Sequence, residues 1–136
     1  MKKKDHQTFI DELIVAFPEI KDEVLDEDYL GLTTLQIGCF KRFTQKAIDN
    51  NDLILVKKCF DFVDSNIDVV EYNVENSLVI SYLGKLNFSN DCEVDKLLTK
   101  KLRELRVTLA EYYATPSKNE KLNKFLKDLE DDNYLQ

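Results

Sequence analysis

Apolar residues recur along most of this chain at intervals of three and four, the spacing that lays them along one face of a helix. The clearest run is Leu35 to Val63. Leu35, Cys39, Phe43 and Ala47 follow one another at four-residue steps, with Phe40 and Ile48 widening the stripe. After a break, Leu53, Val56, Phe60, Val63 and Ile67 resume it. The break is Asp49, Asn50, Asn51 and Asp52, residues that tolerate left-handed backbone and cap a following helix. The pattern predicts an αα-hairpin around which the rest of the chain is organised.

Upstream, a helix over about Gln7 to Phe17 is expected to bury Phe9, Leu13 and Phe17. Pro18 disfavours helical geometry at Phe17 but suits the first turn of a new, short helix, with Ile20 and Val24 on its buried side. Downstream, Asn66 and Asp68 offer caps for a helix from about Val69 to Leu86. Its apolar arc is wide: Val70, Val74 and Leu78 form one line, and Tyr72, Val79, Leu83 and Leu86 another. The segment Ser77 to Leu83 is β-prone in isolation but has no strand to pair with, so it reads as helix. Gly84 marks a close helix contact or an early helix end. A long helix from Cys92 or Glu93 to Tyr113 then buries Val94, Leu98, Leu102, Leu105, Leu109 and Tyr112 and carries Lys96, Lys100, Lys101, Arg103 and Arg106 outside. That basic stripe is expected to be solvated surface, or else to pair with the acidic N-terminal third. Thr115 and Pro116 open a last amphipathic segment with Leu122, Phe125 and Leu129 on one face and fraying beyond Leu129.

These elements predict an all-α fold, an irregular bundle of about six helices built from αα-hairpins with some solenoid character. It forms one domain over residues 1–136, with its core in residues 7–115 and a peripheral helix and frayed tail in 116–136. Composition agrees. Of 136 residues, 43% are hydrophobic, too many for a disordered chain, while three Gly and two Pro leave little material for the turns of an all-β fold.

The formal charge of −7 argues against nucleic acid and anionic lipid as partners and in favour of basic proteins. No apolar run reaches the roughly 18 to 20 residues of a membrane span, and Lys2, Lys3 and Lys4 lead into Asp5, His6 and Gln7, not into the apolar run of a signal peptide. Three cysteines without CxxC spacing fit a reduced, cytoplasmic setting.

Catalytic constellations are hard to assemble. His6, the sole histidine, is expected in a mobile N-terminus, which removes histidine metal sites and Ser-His or Cys-His pairs. Gly31, Gly38 and Gly84 are isolated and form no phosphate loop. Asp26, Asp28 and Gly31 fall at the first, third and sixth places of a calcium loop, but Leu30 and Ile37 stand where oxygen ligands are needed. Cys92 reads as an ordinary surface or capping cysteine. No cofactor, metal or enzymatic activity is expected.

Charge distribution is more informative. Between Asp5 and Asp28 nine acids face Lys21 alone, and between Asp49 and Glu75 seven acids face Lys57 and Lys58. If the two segments share a side, that side carries most of the negative field.

Phe17-Pro18-Glu19-Ile20, the hairpin with Phe40, Phe43, Asp52 and Phe60, the Val79 to Gly84 helix and the Tyr112-Tyr113 end resemble an uncharacterised family of small, acidic, all-helical bacterial proteins. The resemblance spans about Phe9 to Tyr113. Some relatives in that family are suspected immunity proteins of toxin systems, and it implies no catalytic residues. The expected function is therefore protein binding, as an immunity or inhibitor protein that occupies the cleft of a basic toxin. Its contacts would be Asp22, Glu23, Asp26, Glu27 and Asp28 first, and Asp49, Asp52, Asp61, Asp64 and Asp68 second. The alternative is a helical adaptor or scaffold binding through apolar inter-helix grooves, with a homodimer through its last segment as one form of it. A small enzyme using Cys92 or paired carboxylates ranks third.

Overall fold

A computed structural model of the chain describes residues 2–89 and 91–114, with side chains up to Tyr112. The fold is all-α. Seven α-helices follow in order: α1 (His6–Ala16), α2 (Lys21–Val24), α3 (Thr33–Asp49), α4 (Leu53–Asn66), α5 (Tyr72–Ser77), α6 (Glu93–Lys96) and α7 (Lys100–Ala114). A 3-10 turn at Pro18–Ile20 precedes α2, and a π-helical segment, Leu78–Leu83, continues α5. No strand occurs among the described residues; Lys4 and Val70 form one isolated parallel bridge, which ties the N-terminal residues to the α4–α5 connection.

The expected hairpin is present as α3 and α4. Asn51 takes the left-handed conformation, φ 56°, and the Asp52 carboxylate accepts from the Leu55 amide to cap α4. Around it α3 packs against α2, α4, α5 and the π segment, and α7 packs on the π segment. Where these elements meet, six aromatic rings form one cluster, with Phe43 joined to it 5.7 Å from Phe17. Phe17 lies 5.1 Å from Phe40, Phe40 stacks on Tyr82 at 4.8 Å, and Phe62 meets Phe9, Phe17 and Phe40 at 5.5 to 5.8 Å. Phe9, Phe17, Phe40 and Tyr82 are fully buried, and each of the three phenylalanines stabilises by about 1.5–3 kcal/mol.

Several expected details shift. α3 turns Gln36 and Ile37 inward instead of Leu35, which is 43% exposed. The cause is a polar anchor: Gln36 Nε2 donates to the Val24 carbonyl at the end of α2 (2.9 Å), and Gln36 Oε1 lies 2.5 Å from His6 Nε2. With that oxygen as acceptor, His6 donates through Nε2. His6 is thus the first residue of an ordered helix, which Asp5 caps by accepting from the Thr8 amide. The helix expected over 69–86 spans only Tyr72 to Leu83, and Tyr72 is exposed. Its last turn is π-helical, closed by the Gly84 amide on the Val79 carbonyl (2.9 Å). That wider turn lets Tyr82 and Leu83 both face the core beneath Leu78. The long final helix is broken between α6 and α7. Thr99 Oγ1 donates to Asp64 (2.6 Å) and accepts from the Leu102 amide (3.2 Å), which starts a new helix at Lys100. Residues 115–136, where the last amphipathic segment was expected, lie outside the described residues.

Candidate functional site

Three exposed carboxylates from separate elements converge on a groove of about 450 Å³ between the 3-10 turn and α2 on one side and the α3–α4 turn on the other. Glu19 and Glu23 stand on the first wall and Asp52 on the second, with Arg42, Phe43, Lys46, Ala47, Asn50 and Leu55 contributing from α3 and α4. The floor is apolar because Ile20 and Ala47 belong to the core, while Phe43 and Leu55 are half-buried against it. Glu23 is paired with Arg42, and its hydrogen bond raises the Arg42 pKa above the ordinary guanidinium value. Glu19 and Asp52 have no ion pair among the described residues.

Beyond the groove the chain leaves α2 into a loop held to the core by the half-buried Leu25 and Tyr29, with its acids turned to solvent. Asp22, Asp26, Glu27 and Asp28 are all exposed and, among the described residues, have no ion pair. The Asp26 carboxylate accepts from the Asp28 amide (2.9 Å), which shapes the turn, and Gly31 at φ 77° supplies the positive angle that ends it. On either side of Gly31, Leu30, Leu32 and Leu35 are 54%, 45% and 43% exposed. Four unneutralised carboxylates thus adjoin three leucines left in water.

A family model for a domain of unknown function, DUF7674, matches residues 10–114. The chain belongs to this family. No curated protein and no solved structure matches it. Residues 10–114 hold the hairpin, the groove and the acidic loop, so both candidate surfaces lie within the DUF7674 domain.

The second group of acids divides between two places, and Asp52 joins Glu23 of the first group in the groove lining. Asp49 and Asp52 sit at the α3–α4 turn, where Asp49 accepts from Gln45 (3.0 Å) and Asp52 lines the groove. Asp61, Asp64 and Asp68 lie toward the far end of α4 and beyond, and each is paired: Asp61 with Lys57 (3.0 Å), Asp64 and Asp68 with Lys101 (3.9 and 2.6 Å). The bond to Asp68 raises the Lys101 pKa. Of the basic stripe, Lys101 turns to Asp64 and Asp68, Lys96 pairs with Glu93 (3.8 Å), and no member has an ion pair with the N-terminal third among the described residues. Arg106 is half-buried. Its Nη1 donates to the Leu83 and Leu86 carbonyls (2.7 and 2.9 Å), and its guanidinium lies 4.0 Å from the Phe88 ring centroid.

The thiols of the DUF7674 core are poor nucleophiles. Burial pushes the Cys39 and Cys59 thiols up to about 11. Sequence reasoning missed Glu19 and Leu30, Leu32 and Leu35 as surface features. Glu19 follows a proline and reads as a helix start, Leu35 continues a stripe expected to be buried until the Gln36 anchor fixes the rotation of α3, and Leu30 and Leu32 belong to no stripe.

Proposed function

We propose that this DUF7674 protein binds a basic protein partner through its acidic loop, as an immunity or inhibitor protein that neutralises a toxin by occupying a cationic cleft. The observation that carries the reading is the sequence Asp22 to Leu35 in its folded setting. Asp22, Asp26, Glu27 and Asp28 are exposed without cationic partners among the described residues, beside the exposed Leu30, Leu32 and Leu35. Unpaired acids at a rim speed encounter with a basic surface, and adjoining apolar side chains supply the desolvated contact that holds it. Within the second group, the ion pairs of Asp61, Asp64 and Asp68 leave those residues less available for such a role.

Affinity capture at low and moderate salt from the cells that carry the protein, followed by mass spectrometry, is the test. A basic protein held near one-to-one and released as salt rises is expected. The variant Asp22→Lys, Glu27→Lys, Asp28→Lys spares Glu23 and the turn-forming Asp26; it should weaken the complex at least about tenfold and flatten its salt dependence. Unchanged affinity would sink the reading. The exposed leucines also favour a second reading, an adaptor that docks through apolar contacts. Binding that is indifferent to salt and lost in Leu32→Ser, Leu35→Ser would select it.

A further inference from the structure

We infer that the groove between the 3-10 turn and the α3–α4 turn receives an arginine side chain of the protein partner. This assignment rests on the proposed binding of a basic protein and names where its anchor sits. An arginine has two ends of opposite character, a methylene stem that prefers apolar contact and a planar cation that prefers carboxylates. The groove has the same two parts. Ile20, Phe43, Ala47 and Leu55 form its apolar surface, while Glu19 and Asp52 line it without ion pairs among the described residues, one Asp52 oxygen capping α4. The volume of about 450 Å³ exceeds what one side chain fills, which leaves room for the backbone that bears it. Glu23 and Arg42 neutralise each other, so the groove's open negative charge comes from Glu19 and Asp52. Lys46 is the competing cation of the lining, exposed and without an ion pair among the described residues. Buried arginine anchors are among the residues that dominate protein interfaces, and a pocket with this composition suits one.

The probe is the blocked tripeptide acetyl-Leu-Arg-Leu-amide, titrated into the full-length ¹⁵N-labelled protein and followed by amide chemical shifts. Its control is the same peptide with neutral citrulline in place of arginine. Saturable shifts centred on Ile20, Phe43, Ala47 and Leu55, at least about fivefold weaker with citrulline, are expected for a charge-dependent anchor. Glu19→Gln with Asp52→Asn should weaken the arginine peptide by a similar factor, since asparagine keeps the cap of α4; Lys46→Ala should tighten it. An equal response to both peptides, or no loss in the Glu19→Gln, Asp52→Asn variant, overturns the assignment. The triple reversal at Asp22, Glu27 and Asp28 leaves the groove intact, so peptide binding should survive it. A captured partner lost by that reversal but indifferent to Glu19→Gln, Asp52→Asn would overturn the groove and leave the loop reading standing.

Discussion

The hydroxyls of Thr44 and Tyr82 lie 2.9 Å apart in the centre of the bundle, both fully buried. Thr44 spends its single proton on the Phe40 carbonyl (3.0 Å), so the phenol is the donor between them. Tyr82→Phe removes that donor and leaves Thr44 bonded, which should cost about 0.5–1.5 kcal/mol. Thr44→Val strands the phenol without its acceptor and should cost more, about 1–3 kcal/mol. The double variant should cost less than the sum of the two. Urea unfolding of the four proteins measures the coupling, and strict additivity would refute the pairing.

Gly84 sits where α7 crosses the end of the π segment. A Cβ there would lie 2.5 Å from Leu109 Cδ2 and 2.8 Å from the Ile80 carbonyl oxygen. The leucine methyl can move aside; the backbone oxygen cannot without unwinding the turn. Gly84→Ala should therefore destabilise by about 1–3 kcal/mol, and adding Leu109→Ala should not restore the loss. A neutral or stabilising Gly84→Ala would show that the turn gives way at the Ile80 carbonyl and would refute the argument.

Local signals carried much of this fold and long-range ones did not. The α3–α4 turn was legible because Asn51 and Asp52 act on their own neighbours, and Val56, Phe60, Val63 and Ile67 are buried as their spacing predicts. Leu35 was misplaced because a residue twelve positions away, Val24, offers Gln36 a carbonyl and fixes the rotation of α3. The break before α7 depends on Thr99 meeting Asp64, a contact across 35 residues that no periodicity encodes. The same holds for function. Exposure of Asp22, Asp26, Glu27 and Asp28 follows from their own charge in a run of acids, whereas the capture of Asp64 and Asp68 by Lys101 required the packing of α7.

Arg106 holds the end of the π segment in place of a further helical turn. Its bonds to the Leu83 and Leu86 carbonyls satisfy acceptors that the chain leaves open after the helix ends. Burial lowers its pKa from the usual guanidinium value, and Phe88 faces the cation. Arg106→Ala should cost about 2–4 kcal/mol through two lost charge-assisted bonds and the lost ring contact. Arg106→Lys should recover only part, because an ammonium presents no planar group to Phe88. Thermal and urea unfolding of the three proteins would check the order; an Arg106→Lys variant as stable as the parent would contradict it.

Alkali should destabilise the protein through two buried thiols. Burial raises Cys39 and Cys59 from 9.0 to about 11, with Glu23 adding to the effect at Cys39, and Tyr82 is raised well above its ordinary value by burial. In each case the folded state holds a proton that the unfolded state releases more readily. The unfolded chain therefore binds fewer protons above pH 9, and stability falls as pH rises. The thiol contribution is complete below that pH and is lost progressively toward pH 11. Urea midpoints measured across this window should drop more steeply for the parent than for Cys39→Ala, Cys59→Ala. The slopes are the comparison, since the variant also loses packing and starts lower. Equal slopes would show that the two thiols do not stay protonated in the core, and would remove the burial argument against their reactivity.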